Sequence, residues 1–290
     1  MIPGEPSRTA RWVAFARGLS HLEHRPIAED RIAIKLLSPP WSTVLWLAGI
    51  TPPLTRATLA TADYFSRGRA RFMSYRTRII DDAVSAAVSE GIDQLVILGA
   101  GLDARAWRLD SLAGATVFEV DHPDTQAYKQ QRIGNHAALA KEVRYVAVDF
   151  EHDSLEEQLL AAGFDRGRRA VVIWEGVVMY LPSQAVDATL ATLRNLLAPD
   201  SHLVVSYSRA GKGATAFERE LVGVIVGAAG EKFRLQEEPL QMAERMARTG
   251  FAIKWDEGHP DWAPRLLGRR QPWDLQRIVV AGPTEAASAE

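Results

Sequence analysis

Residues 91–283 alternate short apolar runs with longer stretches whose apolar positions recur at helical spacing. Helical stretches separate the first five runs, so we expect parallel strands joined by crossover helices. The last two runs are joined by a loop rich in Pro, Trp and Arg, which predicts an antiparallel pair at one edge. The sequence therefore predicts an α/β fold with a seven-stranded, mostly parallel sheet. The predicted strands are residues 94–98, 116–120, 144–147, 170–174, 202–208, 252–256 and 276–281.

The first ninety residues carry helical patterns instead of strand patterns. Residues 9–20 and 30–37 each place apolar side chains along one helical face. Paired prolines after residue 38 and after residue 51 interrupt the pattern, and residues 56–90 then predict one or two further helices. This part of the chain is expected to form a helical cap.

These patterns divide the chain into a cap at 1–90, a core at 91–283 and a small, polar tail at 284–290. The tail is expected to be disordered. Residues 209–248 are amphipathic and too long for a simple crossover, so they predict a helical lid inserted into the core.

The composition of the 290 residues excludes several kinds of chemistry. Hydrophobic residues make up 47% and charged residues 24%, as in an ordinary globular enzyme. Cysteine is absent, which excludes disulfides, thiolate nucleophiles and cysteine-bound metals and is typical of a cytoplasmic protein. The longest apolar run near the start is far shorter than the roughly twenty residues of a membrane span, so we expect no membrane contact.

The net charge of −2 is unevenly distributed along the chain. Residues 1–80 hold twelve Arg and Lys against five Asp and Glu, a net +7, which leaves −9 on the remainder. A basic cap could steer an anionic substrate, but arginines such as Arg67, Arg69 and Arg71 are more simply interpreted as a solvated helix face. Nucleic-acid binding is not expected, because it requires a denser basic surface.

A glycine turn follows the first predicted strand of the core. Gly99, Gly101 and Ala104 match the pattern G-x-G-x-x-A, and the next strand ends in the acids Glu119 and Asp121. Small residues let a backbone approach a ligand, and a carboxylate accepts hydrogen bonds from ribose hydroxyls. The pattern predicts a nucleotide or nucleoside site.

A dinucleotide fits this pattern, but three features favour a nucleoside without phosphates. The glycine turn comes only after about ninety helical residues. Asp103 and Arg105 also place charged side chains in the turn, whereas a pyrophosphate binds best to backbone N–H groups that no side chain covers. After the third strand, Asp149 and Phe150 offer an acid beside an aromatic ring, which suits the amino edge and the face of adenine.

Five segments resemble, in order, the leucine carboxyl methyltransferase family. They are R-T-R with D-D from Arg76, L-G-A-G-L-D-A-R from Leu98, E-V-D-H-P from Glu119, V-D-F from Val148 and W-E-G-V-V-M-Y-L-P from Trp174. The resemblance is closer to the bacterial branch, which includes carboxyl O-methyltransferases of polyketide pathways. It implies a class I methyltransferase fold, which is Rossmann-like, and S-adenosylmethionine as cofactor.

The resemblance also implies roles for individual residues. Arg78 would pair with the cofactor carboxylate and Glu175 with its ammonium group, and Tyr180 would line the methyl-transfer pocket as the candidate catalytic residue. Asp121 would bind the ribose, and Asp149 with Phe150 the adenine. The expected cofactor-binding residues are Arg78, Gly99, Ala100, Gly101, Asp103, Arg105, Glu119, Asp121, His122, Asp149, Phe150, Glu175 and Gly176, with no metal ligand.

Each of these residues also has a purely structural interpretation. Arg78 could bridge to Asp81 or Asp82 one helical turn away. Asp121 and Asp149 could cap the helices that follow them, and Tyr180 could belong to the core. His122 is better interpreted as a residue that makes local hydrogen bonds than as a catalyst.

The acceptor decides the chemistry. A carboxylate is already ionised at neutral pH, so its methylation requires no general base, and the sequence shows no catalytic triad or metal-ligand spacing. Methylation of a phenol or hydroxyl would require one, with His122, His152, His202 and His259 as candidates. We therefore predict O-methylation of a small organic acid such as a polyketide or another secondary metabolite, with phenol methylation, an NAD-dependent oxidoreductase and a non-enzymatic binding protein as alternatives. The expected acceptor pocket lies between cap and lid and holds Trp12, Phe15, Trp41, Trp46, Phe217 and Phe233.

Overall fold

The computed structural model describes residues 8–66, 69–149, 152–209, 233–268, 274 and 276–284. Within these residues the expected seven-stranded sheet is present, with the strand order β3-β2-β1-β4-β5-β7-β6. The strands are β1 (Gln94–Leu98), β2 (Thr116–Asp121), β3 (Glu142–Ala147), β4 (Val171–Trp174), β5 (His202–Ser208), β6 (Phe251–Gly258) and β7 (Gln276–Pro283).

The strand directions confirm the predicted sheet. Strands β1 to β5 are parallel, and β6 and β7 form the antiparallel pair expected at one edge. The last strand of the chain, β7, is inserted between β5 and β6 and runs antiparallel to both. The edge itself is therefore β6, which runs in the same direction as the parallel strands.

The cap is helical, as expected. Asp30 begins the second helix by accepting a hydrogen bond from the backbone of Ala33 at 2.9 Å. The paired prolines separate helices, because each pair immediately precedes or begins the next helix. The cap helices are α1 (Arg8–His21), α2 (Arg31–Leu36), α3 (Trp41–Ala48), α4 (Pro52–Ser66) and α5 (Arg69–Ser89).

Alternate residues of each central strand face two different hydrophobic layers. One face of β1, with Leu95 and Ile97, packs in a cluster with the cap helices. The other face, with Val96 and Leu98, packs in a second cluster with the helices on the opposite side. The core helices are α6 (Arg105–Arg108), α7 (Pro123–Ile133), α8 (Leu155–Ala161), α9 (Ser183–Leu196), α10 (Pro239–Arg248) and α11 (His259–Leu267).

Only part of the predicted lid at 209–248 can be compared with the structure. Residues 210–232, which include Phe217, lie outside the described residues. The last ten residues form α10, whose Met242 and Met246 are buried in the second cluster. This helix is therefore a crossover helix of the core, and residues 233–238 ahead of it are not helical. Of the predicted tail at 284–290, only Thr284 is described, and its backbone N–H donates to the carbonyl of Gly250.

A buried ion pair joins the cap to the turn that follows β1. Arg17 on α1 donates to Asp30 at 2.8 Å and to the carbonyl of Leu102 at 2.5 Å. Asp30 is fully buried, and Arg108 on α6 lies 3.6 Å from the same carboxylate. The position of α1 over the glycine turn is thus fixed by charge as well as by apolar packing. Among the helices of the described residues, none is both long and apolar enough to span a membrane.

Replacing Asp30 by Ala should destabilise the protein by about 3–5 kcal/mol, because it leaves Arg17 buried without its carboxylate and removes the cap of α2. Urea unfolding monitored by tryptophan fluorescence measures this change. The control is Asp82→Ala, which breaks an ion pair between half-exposed side chains and should cost no more than about 1 kcal/mol. Equal losses in the two variants would contradict a structural role for the buried pair.

Candidate functional site

The carboxyl ends of β1, β2 and β4 meet at one edge of the sheet, because β1 lies between the other two strands. The turn 99–104 follows β1, Asp121 ends β2, and Glu175 follows β4 directly. In open α/β sheets, ligands bind in a crevice at this edge. The structure thus brings together three of the segments that the sequence predicts to form the site.

The glycine turn has a backbone that only glycine accommodates readily. Gly99 has φ 65° and Gly101 has φ 49°, both in the left-handed region. A Cβ atom on Gly99 would lie 2.6 Å from the side chain of Val177, so a larger residue would collide with the loop that follows β4. Ala100 continues the turn, and its N–H donates to the carbonyl of Val120 at 3.0 Å. The turn therefore lies close against its neighbours, and position 99 requires glycine for packing as well as for conformation.

Asp121 is held in place by two backbone donors. Its carboxylate accepts from the N–H of Gly101 at 2.5 Å and from the N–H of His122 at 2.7 Å. Burial raises the pKa of Asp121, and these two hydrogen bonds act against that increase. A carboxylate oxygen accepts more than one hydrogen bond, so Asp121 keeps capacity for a diol.

His122, and not Asp121, caps the helix that follows β2. Its Nδ1 accepts from the N–H of Asp124 at 3.3 Å at the start of α7. This is the local hydrogen-bonding role that the sequence suggested for His122. It also removes the alternative in which Asp121 is the helix cap.

The structure does not bring Glu119 to this edge. Its side chain is 1% exposed and accepts from Lys129 of α7 at 2.6 Å. Burial raises the pKa of Glu119 to about 7 although Lys129 lowers it. The Lys129 ammonium lies 5.1 Å from the ring centre of Trp107. Glu119 is therefore part of a buried pair with Lys129, and this pairing is the purely structural interpretation of the acid predicted to bind the cofactor.

A buried network of four arginines and four carboxylates lies behind the crevice. Arg105 is at its centre: Nε donates to Asp81 at 2.7 Å, Nη1 donates to Glu175 at 2.9 Å, and the guanidinium also pairs with Asp103. All eight side chains are at most 9% exposed, and positive and negative charges are equal in number. The members are Arg17, Arg76, Arg105, Arg108, Asp30, Asp81, Asp103 and Glu175.

Asp103 and Arg105, predicted to bind the cofactor, are thus committed to each other and to the network. Burial opposes ionisation of Asp103, but Arg105 and Arg17 hold the pKa of its carboxyl well below the ordinary value. Side chains that neutralise one another in the protein interior serve to fix their neighbours. Here the neighbour that reaches the sheet edge is Glu175.

Arg76 occupies the position that the sequence assigned to Arg78. The Nε of Arg76 donates to Glu175 at 2.8 Å, and its Nη1 donates to Gln276 at 3.1 Å. Arg78 is 49% exposed and pairs with Asp82 at 2.8 Å. This is the structural interpretation of Arg78 that the sequence also allows, a bridge to an acid one helical turn away. Two residues along a helix correspond to a rotation of about 200°, so the two arginines of α5 point to opposite sides. The structure therefore brings Arg76, and not Arg78, to Glu175, while the cofactor role predicted for Arg78 stays a prediction.

Sequence reasoning missed Arg76, although one signal was present. The acid four residues after Arg78 predicts that Arg78 is paired on an outer helix face. That pairing places Arg76 on the inner face. Arg17, Asp30 and Arg108 carry no local signal, because their partners lie 13 or more residues away along the chain.

The loop after β4 brings two further predicted residues to the edge. The N–H of Gly176 donates to the hydroxyl of Ser206 at 2.8 Å, and a Cβ atom on Gly176 would lie 3.6 Å from Arg76. Tyr180, in a single 3-10 turn, is half-buried and stacks on Phe233 with ring centres 5.4 Å apart. Tyr180 thus belongs to an aromatic wall and not to the fully buried core.

Asp149 follows β3 at the same edge. Its N–H donates to Asp153 at 2.8 Å, and Ser154 is the residue that caps α8. The alternative in which Asp149 caps this helix is therefore not what the structure shows. Phe150, its predicted partner in adenine binding, lies outside the described residues.

The candidate bases are dispersed. His202 begins β5 and therefore lies at the amino ends of the parallel strands, away from the crevice at their carboxyl ends. Burial and Lys254 lower the pKa of His202. His259 is buried between the rings of Phe72 and Tyr75. His152 is exposed after β3. Among the described residues, no group of three or more metal-binding side chains has the geometry of a metal site.

The network makes a prediction for acid stability. Burial opposes ionisation of Glu175, but Arg105 and Arg76 outweigh it and lower its pKa to about 2. A lowered pKa stabilises the folded state fully above the ordinary value of 4.5, and this contribution is lost as the pH falls toward 2. The free energy of unfolding should therefore fall over this range more steeply in the wild type than in Glu175→Gln.

Urea unfolding at a series of pH values from neutral to acidic measures this difference. Glu244→Gln, at an exposed position of α10, is the matched control and should follow the wild type. A Glu175→Gln variant with the wild-type pH dependence would show that the carboxylate of Glu175 is not held ionised by its arginines.

Comparison with known proteins agrees with this geometry. The family model described as leucine carboxyl methyltransferase matches residues 10–194, more than half of the chain. A Mycobacterium marinum protein named as an S-adenosyl-L-methionine-dependent methyltransferase is 36% identical over 297 residues, covering 97% of this chain and 91% of that protein. A protein of the same description from Rhodococcus jostii is 43% identical over 148 residues, 51% of this chain and 50% of that protein.

Solved structures show the same fold. A DUF574 family protein from Streptomyces avermitilis is 16% identical with a TM-score of 0.65, covering 96% of this chain and 98% of that chain. A protein from Thermobifida fusca, described as a methyltransferase, is 16% identical with a TM-score of 0.59, covering 97% and 96%. The fold is that of class I methyltransferases. The dinucleotide and non-enzymatic alternatives are therefore set aside, and the chain belongs to the leucine carboxyl methyltransferase family, as an S-adenosylmethionine-dependent methyltransferase.

Proposed function

We propose that this enzyme methylates the carboxylate of a small organic acid. The acceptor rests on the protonation of the site, and the observation that supports cofactor binding is the pair of Arg76 on α5 and Glu175 after β4. One cation and one anion at the same point suit the carboxylate and the ammonium of an amino acid end group. When bound, S-adenosylmethionine supplies an electrophilic methyl group on sulfur.

Other residues of the edge fit the remainder of the cofactor. Asp121 is fixed by backbone donors and keeps capacity to accept from a ribose diol. The glycines of the turn at Gly99 and Gly101 carry no side chain of their own, which lets a ligand approach their backbone closely. Asp149 follows the neighbouring strand β3, and we assign adenine binding to it and to Phe150, which lies outside the described residues.

The acceptor pocket is assigned to the cap side and to the loop after β4. Tyr180 and Phe233 form one aromatic wall. Trp12, Phe15 and Trp41 form a second aromatic cluster, with ring centres 5.0–6.2 Å apart, on the helices that cover the glycine turn. Such walls favour an apolar acid, the class to which polyketide acids belong. Trp46 is 67% exposed and does not contribute to them.

A carboxylate acceptor agrees with the protonation of the edge. The low pKa of Glu175 makes its carboxylate a poor base, and Asp103 is likewise held ionised by arginines. His202 lies at the opposite edge. An acceptor that is already an anion requires no proton transfer, so alignment and exclusion of water are the tasks left to the protein.

Methylation of a phenol or hydroxyl is the second candidate. His259 is buried beside Tyr75, which precedes Arg76 on α5. It follows β6 at the same edge of the sheet as the crevice. A histidine in this place is the candidate to accept a phenol proton, whereas a carboxylate acceptor would leave it without a catalytic task.

The choice between Arg76 and Arg78 as the arginine that binds the cofactor can be tested directly. Arg76→Ala should weaken binding of S-adenosylhomocysteine by about 100-fold, since a lost charged hydrogen bond costs about 1.5–3 kcal/mol. Arg78→Ala should bind as the wild type does. Isothermal titration calorimetry measures both affinities, and Arg76→Lys, which keeps the charge, should recover part of the loss. Normal binding by a folded Arg76→Ala variant would contradict the assignment.

Transfer of a labelled methyl group to a panel of apolar carboxylic acids and phenols tests the acceptor. We expect a labelled product from the acids that releases methanol on mild base treatment, because esters hydrolyse and ethers do not. Arg76→Ala serves as the control without cofactor binding. A product that survives base would favour the phenol alternative.

A further inference from the structure

The outer face of α3 and the start of α4 is apolar and exposed. Helix α3 (sequence WSTVLWLA) has no charged residue, and a helix that is apolar on all sides normally lies inside a core. Here Leu45 and Ala48 are buried, while the opposite side faces solvent. Its exposed side chains follow one another at intervals of one to four positions. We call them the apolar tip: Val44, Trp46, Leu47, Ile50 and Leu54.

The stretch that carries the apolar tip has charges of one sign, although Arg31 at its start lies 3.9 Å from Glu29 just outside it. From residue 31 to residue 62 the chain contains three basic residues and no Asp or Glu. Arg31 and Lys35 lie on α2, Arg56 lies on α4, and all three are exposed. Anionic headgroups attract such cations, while the acyl layer below them accepts apolar side chains.

The size and composition of the tip fit a lipid surface better than a second copy of the chain. Five side chains exposed by 39–67% offer a few hundred Å² of apolar surface, whereas each partner in a standard protein interface contributes roughly 800 Å². Protein interfaces also carry a polar rim of mixed charge, which this stretch lacks. Attachment to a bilayer has no such minimum area, because the binding free energy increases with the apolar area that is inserted.

We infer that the apolar tip docks this protein onto an anionic membrane surface. Trp46 and Ile50 enter the boundary between headgroups and acyl chains, and Lys35 and Arg56 contact the headgroups. The expectation of no membrane contact rests on the length of a membrane span. The finding that no described helix can span a membrane does not bear on docking, since a docked helix lies along the surface. The inference is independent of the proposed acceptor.

The tip is connected directly to the helix that covers the glycine turn. Trp41, at the start of α3, packs on Phe15 of α1 with ring centres 5.0 Å apart. A Cβ atom on Gly101 would lie 3.5 Å from Ala10 of the same α1. A bilayer beneath the tip would therefore lie next to the helical cap that we assign to the acceptor pocket.

Flotation with lipid vesicles tests the inference without cofactor or acceptor. The wild-type protein should float with equimolar phosphatidylcholine and phosphatidylglycerol vesicles, less with phosphatidylcholine alone, and less at high salt. The test variant is Trp46→Ser with Ile50→Ser. Removing two large apolar side chains that the inference places in the bilayer should weaken vesicle binding by about tenfold or more.

The chain offers a matched control at the other end of α4. Tyr64 and Phe65 are 79% and 72% exposed, and Tyr64→Ser with Phe65→Ser should float as the wild type does. Circular dichroism checks that both variants are folded. A wild type that does not float, or equal losses in both variants, would overturn the inference. So would a wild-type dimer in light scattering that Trp46→Ser with Ile50→Ser converts to a monomer, because the tip would then be a contact between copies.

Discussion

The side chain of Arg105 is the point on which the architecture of the site depends. This guanidinium is 1% exposed and contacts Asp81 of α5, Asp103 of the glycine turn and Glu175 after β4. Removing one charged group from water is costly, and only a complete set of partners offsets it. The cap, the first strand and the fourth strand are therefore positioned relative to one another by a single cation whose partners must all be in place.

This arrangement separates two tasks that a simpler site would give to the same residues. Arg105, Asp103 and Asp81 hold the framework, while Arg76 and Glu175 reach the edge with opposite charges. Because both Arg76 and Arg105 pair with Glu175, its carboxylate stays ionised without a ligand. A site that is charged and oriented in advance loses little freedom on binding, which is the general route to affinity in a small crevice.

The strands were predictable from the sequence, and the orientation of individual side chains was not. Buried parallel strands are continuous apolar runs, so β1 and β5 were predicted to the residue. Arg76 and Arg78 differ only in which way α5 turns toward the sheet, and that rotation follows from packing between distant segments. Glu119 likewise matched the predicted acid position, but its partner Lys129 on α7 leaves no mark in the local pattern. The core helix α10 was taken for part of a lid because both are amphipathic.

The position of β7 has a consequence for how the chain is made. Among the described strands, β6 pairs with β7 alone, and β7 comes last in the sequence. During synthesis, the backbone N–H and C=O groups of β6 have no strand to pair with until residues 276–283 have left the ribosome. During that interval β5 also presents an open flank to other nascent chains, which is the exposed sheet margin that cells protect with chaperones.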